Sequence, residues 1–533
     1  SNRREFLYID YACAIHSLIS VPLYPTLDAN AIDYIVNHAK ISIVFCEHDK
    51  LDDILKVKSK YPFLKYIVLM DEQLPDQLYA EKYPNKFDYT LSKFEEMGSK
   101  CVKDYPDNLP KLNDGSIFTI MYTSGTTGPP KGVVLTHTNL ASLVYALAFL
   151  DLGEKYGVER GIHLSYLPLP HIMERLINLV NLQRGSLIGF WCNDRETLIE
   201  DMQMIKPIMF VGVPRIHQKI QDKILNGINS SSFIVRKLFE YGYKKKLNSL
   251  NNRQEPSAFF EKIFAKINAA FGGNIQIVMS GAAPLSKETA EFLKVIFGGI
   301  GEGYGLTETC ASGTGTHEFD LKYGHVGTPR MNVELKLVSV PDMNYYVTDK
   351  PYPRGEIWMR GPTIFKEYYK NKAKTMDAKT KDGWFKTGDI GLWRSEGRLQ
   401  IIDRKKNIFK LSQGEYVRPE FIQNIYKQSR FINNIFVYGD SNETYLVGIV
   451  VPDFEVLTEW ANNNGLSNIA NDKNKLINNS KVINLIRTDM DNVGKKEELN
   501  GFEKIKRFKL IIDDFTVESG ILTSTMKLKR NVA

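Results

Sequence analysis

The sequence predicts an α/β protein with a large N-terminal domain of doubly wound sheets and a smaller, mobile C-terminal α+β domain. Three observations indicate this fold class. The 533 residues are too many for a single hydrophobic core. Strand-like and helix-like segments alternate over roughly the first three hundred residues, as in parallel sheets. Residues 325–402 are rich in strand and turn residues, which predicts a small β-barrel-like subdomain.

The first elements are assigned from apolar runs and amphipathic stretches. Residues 5–20 have the pattern of an amphipathic helix, and a proline-containing turn follows at 21–26. The apolar run 117–122 predicts a buried strand. Between them we expect, in order, helix 30–40, strand 41–46, helix 49–59 and strand 66–70.

The alternation continues to about residue 300. A helix is predicted over 138–150, with Thr136 or Thr138 as its N-cap. The elements expected after it are strand 186–191, helix 195–205, strand 208–213, a helix-rich basic region 216–272, strand 275–279, helix 286–297 and a loop at 301–309.

A short charged joint at 403–407 separates the two predicted domains. We therefore expect an N-terminal domain at 1–402 and a C-terminal domain at 403–533. The chain begins at Ser1 without a methionine, so we also expect the first domain to be truncated at its start, where a targeting or anchoring segment would belong.

Composition bounds the class of protein. A net charge of +7 is mild for this length; it suits anionic ligands or an anionic membrane surface without requiring either, and we predict no nucleic-acid partner. The five cysteines show no metal or redox spacing, which predicts a reduced compartment and no structural zinc. No apolar run approaches the roughly 18 residues of a membrane-spanning helix.

A Ser/Thr/Gly loop directly follows the predicted strand 117–122. It holds three small hydroxyls and two glycines between Ser124 and Gly128. Glycines permit close approach of a ligand, and successive N–H groups and hydroxyls suit phosphate oxygens. Lys131 adds a positive charge at the rim, but its following Gly132 excludes a Walker A loop. An ordinary turn is the alternative interpretation of such a composition.

Two further strings carry groups that suit a nucleotide. In Tyr304-Gly-Leu-Thr-Glu308, the tyrosine offers a flat face to a base, and Glu308 offers a hard oxygen to Mg²⁺. In Asp382-Gly-Trp-Phe-Lys-Thr-Gly-Asp389, the last carboxylate follows a predicted Thr-Gly turn and can accept both ribose hydroxyls. Surface turns are the alternative interpretation of both strings.

With Thr123-Ser-Gly-Thr-Thr-Gly-Pro-Pro-Lys-Gly132, Asp403-Arg-Lys-Lys-Asn407 and Leu522-Thr-Ser-Thr-Met-Lys-Leu-Lys-Arg530, these strings resemble the adenylate-forming superfamily. That superfamily comprises acyl-CoA synthetases, luciferases and adenylation domains. The blocks occur in the family's order over most of the chain, and the 404–417 string looks most like long-chain fatty acyl-CoA synthetases.

The resemblance implies roles for individual residues. Catalytic roles fall to Lys527, Glu308, Thr126 and His171, with Mg²⁺ on Glu308 and Thr126, and Asp403 would be the hinge. His171 follows Leu167-Pro-Leu-Pro170 and would position or gate the acyl substrate. Nucleotide and CoA binding would involve Thr123, Ser124, Gly125, Thr126, Thr127, Gly128, Lys131, Gly281, Ala282, Tyr304, Gly305, Thr307, Asp389, Arg404 and Gly414.

The C-terminal block departs from many superfamily members, which have glycine before the lysine, whereas Met526 precedes Lys527 here. A bulky residue at that point is frequent in the long-chain branch. Lys529 is the alternative lysine, and a solvated basic tail is the alternative interpretation of the whole block.

The function implied is a long-chain fatty acid–CoA ligase. It would convert ATP, fatty acid and CoA into acyl-CoA, AMP and diphosphate through an acyl-adenylate, with Mg²⁺ and with rotation of the C-terminal domain between the half-reactions. The implied location is the cytosol or the cytoplasmic side of an internal membrane such as the endoplasmic reticulum, with the basic helices around Lys244 resting on lipid. A solvated face explains those lysines equally well.

Four other functions are considered, of which a phosphate-loop ATPase is disfavoured by the absent Walker A lysine spacing. A fatty acyl-AMP ligase would stop at the adenylate. An amino-acid adenylation enzyme would need a carboxylate for the substrate ammonium, for which Glu174 is the candidate. A non-catalytic lipid- or nucleotide-binding scaffold, or a phosphate-loop ATPase, would belong to other classes. Acyl chain length and oligomeric state are left open.

Overall fold

The computed structural model describes most of the chain. The described residues are 2–71, 87–101, 109–123, 129–148, 161–194, 196–317, 320, 322–413, 415–523, 528–530 and 532. The sequence prediction of an α/β fold with a β-rich part and a final α+β part is confirmed. Within the described residues, no helix is both long and apolar enough to cross a membrane.

A parallel sheet forms the first layer. The strands Ile43–Cys46, Tyr66–Leu69 and Tyr89–Thr90 pair in that order. Their apolar side chains pack against two helices, because Ile32, Val36, Ile54 and Val57 point from the helices into the same core. The helices nearby are Arg4–Ile15, Ala29–Ala39, the 3-10 helix His48–Lys50, Leu51–Lys60 and Leu91–Ser99.

An antiparallel pair carries the Ser/Thr/Gly loop. The strands Ile117–Thr123 and Lys131–Thr136 pair so that Thr123 lies opposite Lys131, and Glu367–Tyr368 adds a third strand. The helix His137–Ala148 follows directly. Thr136 caps it as predicted, because its hydroxyl accepts from the Asn139 N–H at 3.2 Å.

A second sheet lies at the centre of the largest core. Its strands Met209–Gly212, Ile277–Ser280 and Gly299–Tyr304 are parallel, and Thr314–Gly315 and Thr328–Pro329 continue it antiparallel. Apolar residues of the surrounding helices cover it. The elements of this part are Ile162–Ser165, Ile172–Gln183, Leu187–Phe190, Leu198–Ile205, Pro214–Asn229, Phe233–Asn251, Ala258–Ala269, Lys287–Phe297 and the 3-10 helix Thr307–Thr309.

The β-rich part contains a four-stranded antiparallel sheet. Its strands pair in the order Glu334–Val338, Arg354–Arg360, Phe385–Trp393 and Leu399–Arg404. The 3-10 helix Pro341–Met343 and the helix Lys372–Ala378 lie in its connections.

The C-terminal part has a core of its own. Twenty-two buried residues between Leu411 and Leu510 form one apolar cluster. The sheet beneath them pairs Ile432–Tyr438, Leu446–Pro452 and Ile505–Leu510. The other elements are Phe409–Lys410, Tyr416–Val417, Pro419–Tyr426, Phe454–Asn463, Lys473–Ile477 and Ser480–Lys496.

The sequence prediction was wrong about one functional stretch. Residues 301–304 were expected in a loop, but Gly299–Tyr304 is a strand paired in parallel with Ile277–Ser280. The glycines hid the strand, since glycine has low strand preference. A Cβ at Gly301 would lie 2.6 Å from the Met279 sulfur, so the Met279 side chain would have to shift to admit it.

Candidate active site

Most of the predicted site residues meet in one cleft of about 3090 Å³. The cleft is lined by residues of the strands Ile277–Ser280 and Gly299–Tyr304, of the β-rich sheet and of the C-terminal part. Widely separated segments therefore share one cavity. The predicted residues that line it are Thr123, Lys131, His171, Gly281, Ala282, Tyr304, Gly305, Thr307, Glu308, Asp389 and Arg404.

The remaining predicted residues lie outside the described part of the chain. They are Ser124, Gly125, Thr126, Thr127, Gly128, Gly414 and Lys527. Thr123 and Lys131, which bracket the first five, both line the cleft. Leu522 and Leu528 form an antiparallel bridge on either side of 523–527, and both line the same cleft.

A tyrosine, a carboxylate and a guanidinium form one end of the site. The Tyr304 hydroxyl donates to Asp389 Oδ2 at 2.6 Å. Arg404 lies opposite Asp389 in the strand register, with its Nε 3.8 Å from Asp389 Oδ1. Burial, and then the Asp389 carboxylate, raises the pKa of Tyr304 well above its ordinary value, so the hydroxyl keeps its proton.

The Asp389 carboxylate is held by its own backbone turn. Asp389 was expected after a Thr-Gly turn, but it lies within the strand Phe385–Trp393. Gly388 there has φ +74°, and the Thr387 hydroxyl accepts from the Asp389 N–H at 3.1 Å. This local turn inside a strand fixes the direction in which the carboxylate enters the cleft.

Gly305 and Ala282 show where the backbone is constrained. A Cβ on Gly305 would lie 2.3 Å from the backbone carbon of Ala311, so no larger residue fits. Ala282 has φ +69°, a left-handed conformation that is uncommon for alanine. Both Gly305 and Ala282 line the cleft, so their backbone conformation shapes its wall.

Glu308 is oriented by a neighbouring tyrosine. It lies in the 3-10 helix Thr307–Thr309, and its Oε1 accepts from the Tyr368 hydroxyl at 2.8 Å. A single carboxylate beside substrate phosphates is a typical Mg²⁺ arrangement, because Mg²⁺ keeps most of its waters. Among the described residues, no group of three or more His, Cys, Asp or Glu side chains is placed to hold a metal ion together.

Cations line the cleft, among them Lys131, Lys374, Arg404 and Lys406. Lys131 Nζ lies 5.2 Å from the Tyr368 ring centre. Burial, and then Lys374, lowers the pKa of Lys131. Burial, followed by Arg404 and Lys131, lowers the pKa of Lys406. These mutual effects place four cations within electrostatic reach of one another, which suits a polyphosphate ligand.

His171 caps a helix and lines the cleft at once. Its Nδ1 accepts from the Met173 N–H at 3.2 Å, at the start of the helix Ile172–Gln183. An apolar wall continues along that helix and the facing helix His137–Ala148. The wall residues are Leu143, Leu147, Leu176, Ile177 and Val180.

Sequence reasoning missed four residues of the site. Lys406 stood in the quoted Arg-Lys-Lys string, but only Arg404 was selected from it. Tyr368 and Lys374 carried no local signal, since only the fold brings them to Glu308 and Lys131. Glu302 also lines the cleft, and burial raises its pKa to about 7.

A family profile and individual relatives both match this chain over most of its length. A family profile described as AMP-binding enzyme matches residues 1–369. The chain is 42% identical over 535 residues to long chain acyl-CoA synthetase 7, peroxisomal, of Arabidopsis thaliana, covering 99% of this chain and 74% of that protein. It is 39% identical over 534 residues to fatty acyl-CoA synthetase A of Dictyostelium discoideum, covering 99% and 78%.

Solved structures show the same fold. The adenylation domain of a carboxylate reductase from Mycobacterium chelonae superposes with a TM-score of 0.76 at 24% identity, covering 99% of this chain and 77% of that one. An o-succinylbenzoate coenzyme A synthetase from Bacillus subtilis, solved with ATP and a magnesium ion, gives 0.63 at 18% identity, covering 99% and 87%.

Proposed function

Since the chain belongs to the AMP-binding enzyme family, as a relative of long-chain acyl-CoA synthetases, we propose that it is a long-chain fatty acid–CoA ligase. The observation that carries the assignment is the shared cleft, in which the nucleotide-type residues Tyr304 and Asp389 adjoin an apolar wall. Such a wall suits an acyl tail, because burying each CH₂ contributes about 0.8 kcal/mol.

The reaction has two steps with different nucleophiles. A fatty-acid carboxylate oxygen attacks the α-phosphorus of ATP, and diphosphate leaves. The CoA thiol, losing its proton, then attacks the acyl carbon, and AMP leaves with the electron pair of the acyl–oxygen bond. The protein supplies no nucleophile. Positioning and fixed positive charge therefore provide most of the catalysis.

Each site residue has a part in this scheme. Asp389 would accept the ribose hydroxyls, with Tyr304 lying under the base and Arg404 beside the nucleotide. Thr123, the 124–128 loop, Lys131 and Lys406 would hold the phosphates. Lys527 would neutralise the α-phosphate during the first step only. Gly281, Ala282, Gly305 and Thr307 would shape the cleft around the adenylate, His171 would position the carboxylate, and Gly414 would approach the CoA thiol.

Glu308, with Thr126, would hold Mg²⁺, whose charge offsets that of the phosphates when it is bound. The Tyr368 hydroxyl keeps the Glu308 carboxylate turned to the cleft. ATP and Mg²⁺ are the co-substrate and ion of this enzyme family. CoA as the acyl acceptor follows from the proposed ligase activity.

Residue 403 is the proposed boundary between the moving parts. Asp403 lies near the end of the strand Leu399–Arg404, and its carboxylate accepts from the Glu420 N–H at 3.2 Å. It thus joins the β-rich sheet to the first long helix of the C-terminal part. Rotation about this joint would withdraw Lys527 and admit CoA, a hinge motion of a common type.

Several contacts across this boundary are polar, and beside them Ile408 packs with Val340, Ile390 and Ile402 in a small apolar cluster. Gln218 Nε2 donates to the Gln428 carbonyl at 3.2 Å, Arg215 contacts Asn433, and Glu288 pairs with Lys496. Polar contacts exchange with water at low cost, whereas an apolar interface would resist separation.

The location also remains a proposal. The sequence favours the cytosol or the cytoplasmic face of an internal membrane such as the endoplasmic reticulum. Two relatives from Arabidopsis thaliana are named peroxisomal, which makes the peroxisome the competing location. Imaging of the tagged full-length protein separates these.

The structure disfavours the amino-acid adenylation enzyme, because its candidate residue Glu174 does not lie in the pocket. An amino-acid adenylation enzyme would need Glu174 in the pocket, but Glu174 is fully buried and its Oε1 lies 3.0 Å from His163 Nε2. A carboxylate committed to the core cannot receive a substrate ammonium.

Mass detection of products from a mixed-chain fatty acid pool tests the assignment. With ATP, Mg²⁺ and CoA we expect acyl-CoA and AMP in equal amounts, and the chain lengths formed give the preference directly. Acyl-adenylate without acyl-CoA would instead identify a fatty acyl-AMP ligase. Absence of ATP–diphosphate exchange with every acid would leave only the non-catalytic scaffold.

A further inference from the structure

A row of apolar side chains projects into solvent from the helix Phe233–Asn251. Phe233, Ile234 and Val235 are 65%, 76% and 44% exposed, and Leu238 and Tyr241 are 38% and 56% exposed. Within the described part of the chain, no other run of three consecutive large apolar residues is exposed. Contiguous exposed apolar patches of this kind often mark a site of interaction with a protein or a membrane.

The helix has two distinct faces. Phe239, Gly242 and Lys246 are buried against the core. Ile234, Leu238 and Tyr241 follow one another at spacings of four and three, so they share one face, which is distinct from the buried face. Phe259 of the helix Ala258–Ala269 is 59% exposed and extends this face through Phe260, whose ring lies 5.4 Å from that of Phe259 and 5.7 Å from that of Tyr241. We call the set Phe233, Ile234, Val235, Leu238, Tyr241 and Phe259 the Phe233 surface.

Basic side chains accompany the Phe233 surface. Residues 232–269 contain eight lysines and arginines against three glutamates. Lys244 and Lys245 are exposed, and the Lys245 ammonium lies 5.6 Å from the Tyr241 ring centre. Apolar and aromatic groups interleaved with lysines are typical of helices that lie in the interface of a bilayer.

We propose that the Phe233 surface docks on an anionic lipid bilayer. Apolar side chains would enter the acyl boundary, while Lys244 and Lys245 meet lipid phosphates or carboxylates. A second copy of this chain is disfavoured, because a two-fold contact would set the same basic faces against each other. The proposal is independent of the ligase assignment, since docking requires no substrate.

Docking through the Phe233 surface would place the cleft close to the membrane. The preceding helix Pro214–Asn229 lines the cleft through Ile216, Ile220 and Asn226, and Phe233 follows four residues after its end. A bilayer bound at this surface would therefore lie next to a helix that forms one wall of the cleft. Fatty acid dissolved in that bilayer would be concentrated close to the cleft.

Vesicle sedimentation of the whole chain tests the proposal. The probes are vesicles of phosphatidylcholine alone, and of phosphatidylcholine with about 30 mol % phosphatidylserine, since anionic lipid supplies the surface potential. We expect at least about tenfold stronger binding to the anionic vesicles, decreasing as salt screens the lysines.

Two variants remove different parts of the interaction. Phe233→Ser/Ile234→Ser removes apolar groups, and Lys244→Glu/Lys245→Glu reverses charge. Each is expected to weaken anionic-vesicle binding by about fivefold or more. The matched controls are Met376→Ser/Tyr438→Ser, at residues 70% and 49% exposed elsewhere, and Lys506→Glu/Lys509→Glu in the C-terminal part; both should bind like the wild type.

The proposal is overturned if the wild type does not bind anionic vesicles. It is also overturned if either variant is folded and binds them as strongly as the wild type does. A change of oligomeric state in the variants without vesicles would assign the surface to a second copy instead. Hydrogen exchange of the wild type needs no variant: docking predicts slower exchange at 233–236 when anionic vesicles are added, and unchanged exchange there contradicts it.

Discussion

Asp389 shows how a single carboxylate is prepared for a ligand. It is 5% exposed, yet it accepts a charge-assisted hydrogen bond from Tyr304 and faces Arg404. These neighbours stabilise the ionised form. In the proposed function, this carboxylate accepts the ribose hydroxyls, and its contacts hold it in place for that role.

Asp389→Asn should therefore weaken ATP binding. The amide loses the charge that strengthens hydrogen bonds, a loss of about 1.5–3 kcal/mol, which corresponds to about a 10- to 100-fold rise in KM for ATP. Steady-state kinetics at varied ATP measures it. Asp382→Asn makes the same chemical change at an exposed position seven residues earlier and should leave KM unaltered. An unchanged KM in Asp389→Asn would remove this residue from the nucleotide site.

Glu302 makes the stability of the fold depend on pH. Burial raises its pKa from 4.5 to about 7, while its Oε2 accepts from the Leu285 N–H at 3.3 Å. As pH rises from about 4.5 to 7, the unfolded chain releases this proton before the folded one does. The folded state is therefore progressively disfavoured, by up to about 3 kcal/mol above pH 7.

Glu302→Gln keeps the shape and the acceptor but cannot ionise. We expect its Tm to exceed that of the wild type at pH 8 and the difference to shrink at pH 5, as measured by calorimetry without ligands. Glu95→Gln, at an exposed position of the helix Leu91–Ser99, should shift Tm by the same small amount at both values. A Glu302→Gln variant less stable at pH 8 would show that the ionised carboxylate is favoured in the fold.

At the scale of elements, the helix Ile172–Gln183 is fixed by an internal ion pair. Arg175 contacts Asp10 at 2.7 Å and the Thr119 hydroxyl at 2.9 Å, and its Nη2 lies 3.1 Å from the Ser20 hydroxyl. It thereby joins three elements: the helix that begins after His171, the helix Arg4–Ile15 and the strand Ile117–Thr123, which leads to the Ser/Thr/Gly loop.

Replacing Arg175 by leucine should destabilise the fold strongly. It would leave Asp10 buried without its partner, which costs about 3–5 kcal/mol. Thermal unfolding should show a Tm lower by several degrees. Arg360→Leu removes a solvent-exposed ion pair with Glu334 and should change Tm little, because exposed pairs contribute little to stability. Equal effects of both substitutions would refute the anchoring role of Arg175.

The sequence predicted elements best where one physical signal dominated. The apolar runs around Ile120 and Val278 were recognised as strands, and Thr136 was recognised as a cap. Gly299–Tyr304 was missed, because its three glycines have low strand preference and its pairing with Ile277–Ser280 is long-range. The predicted residues that line the cleft came from contiguous strings or their neighbours in sequence; Tyr368 and Lys374 could not be predicted, since only the fold brings them to the cleft.

At the scale of the whole molecule, the C-terminal part has an apolar core of its own and yet contributes to the same cleft as the earlier part of the chain. The cluster between Leu411 and Leu510 is distinct from the cores of the N-terminal part. Yet Arg404, Leu522 and Leu528 line the same cavity as Tyr304. This arrangement supports a reaction in which one part brings a cation to the other and later withdraws it.

Separate assays of the two half-reactions on Lys527→Ala test this central claim most directly. The variant should lose about a hundredfold or more of ATP–diphosphate exchange, as expected when a positioned charge is removed. It should retain acyl-CoA formation from supplied acyl-AMP. Lys529→Ala, two residues later, should retain both activities. Equal loss of both half-reactions in Lys527→Ala, or loss of exchange in Lys529→Ala alone, would contradict the account.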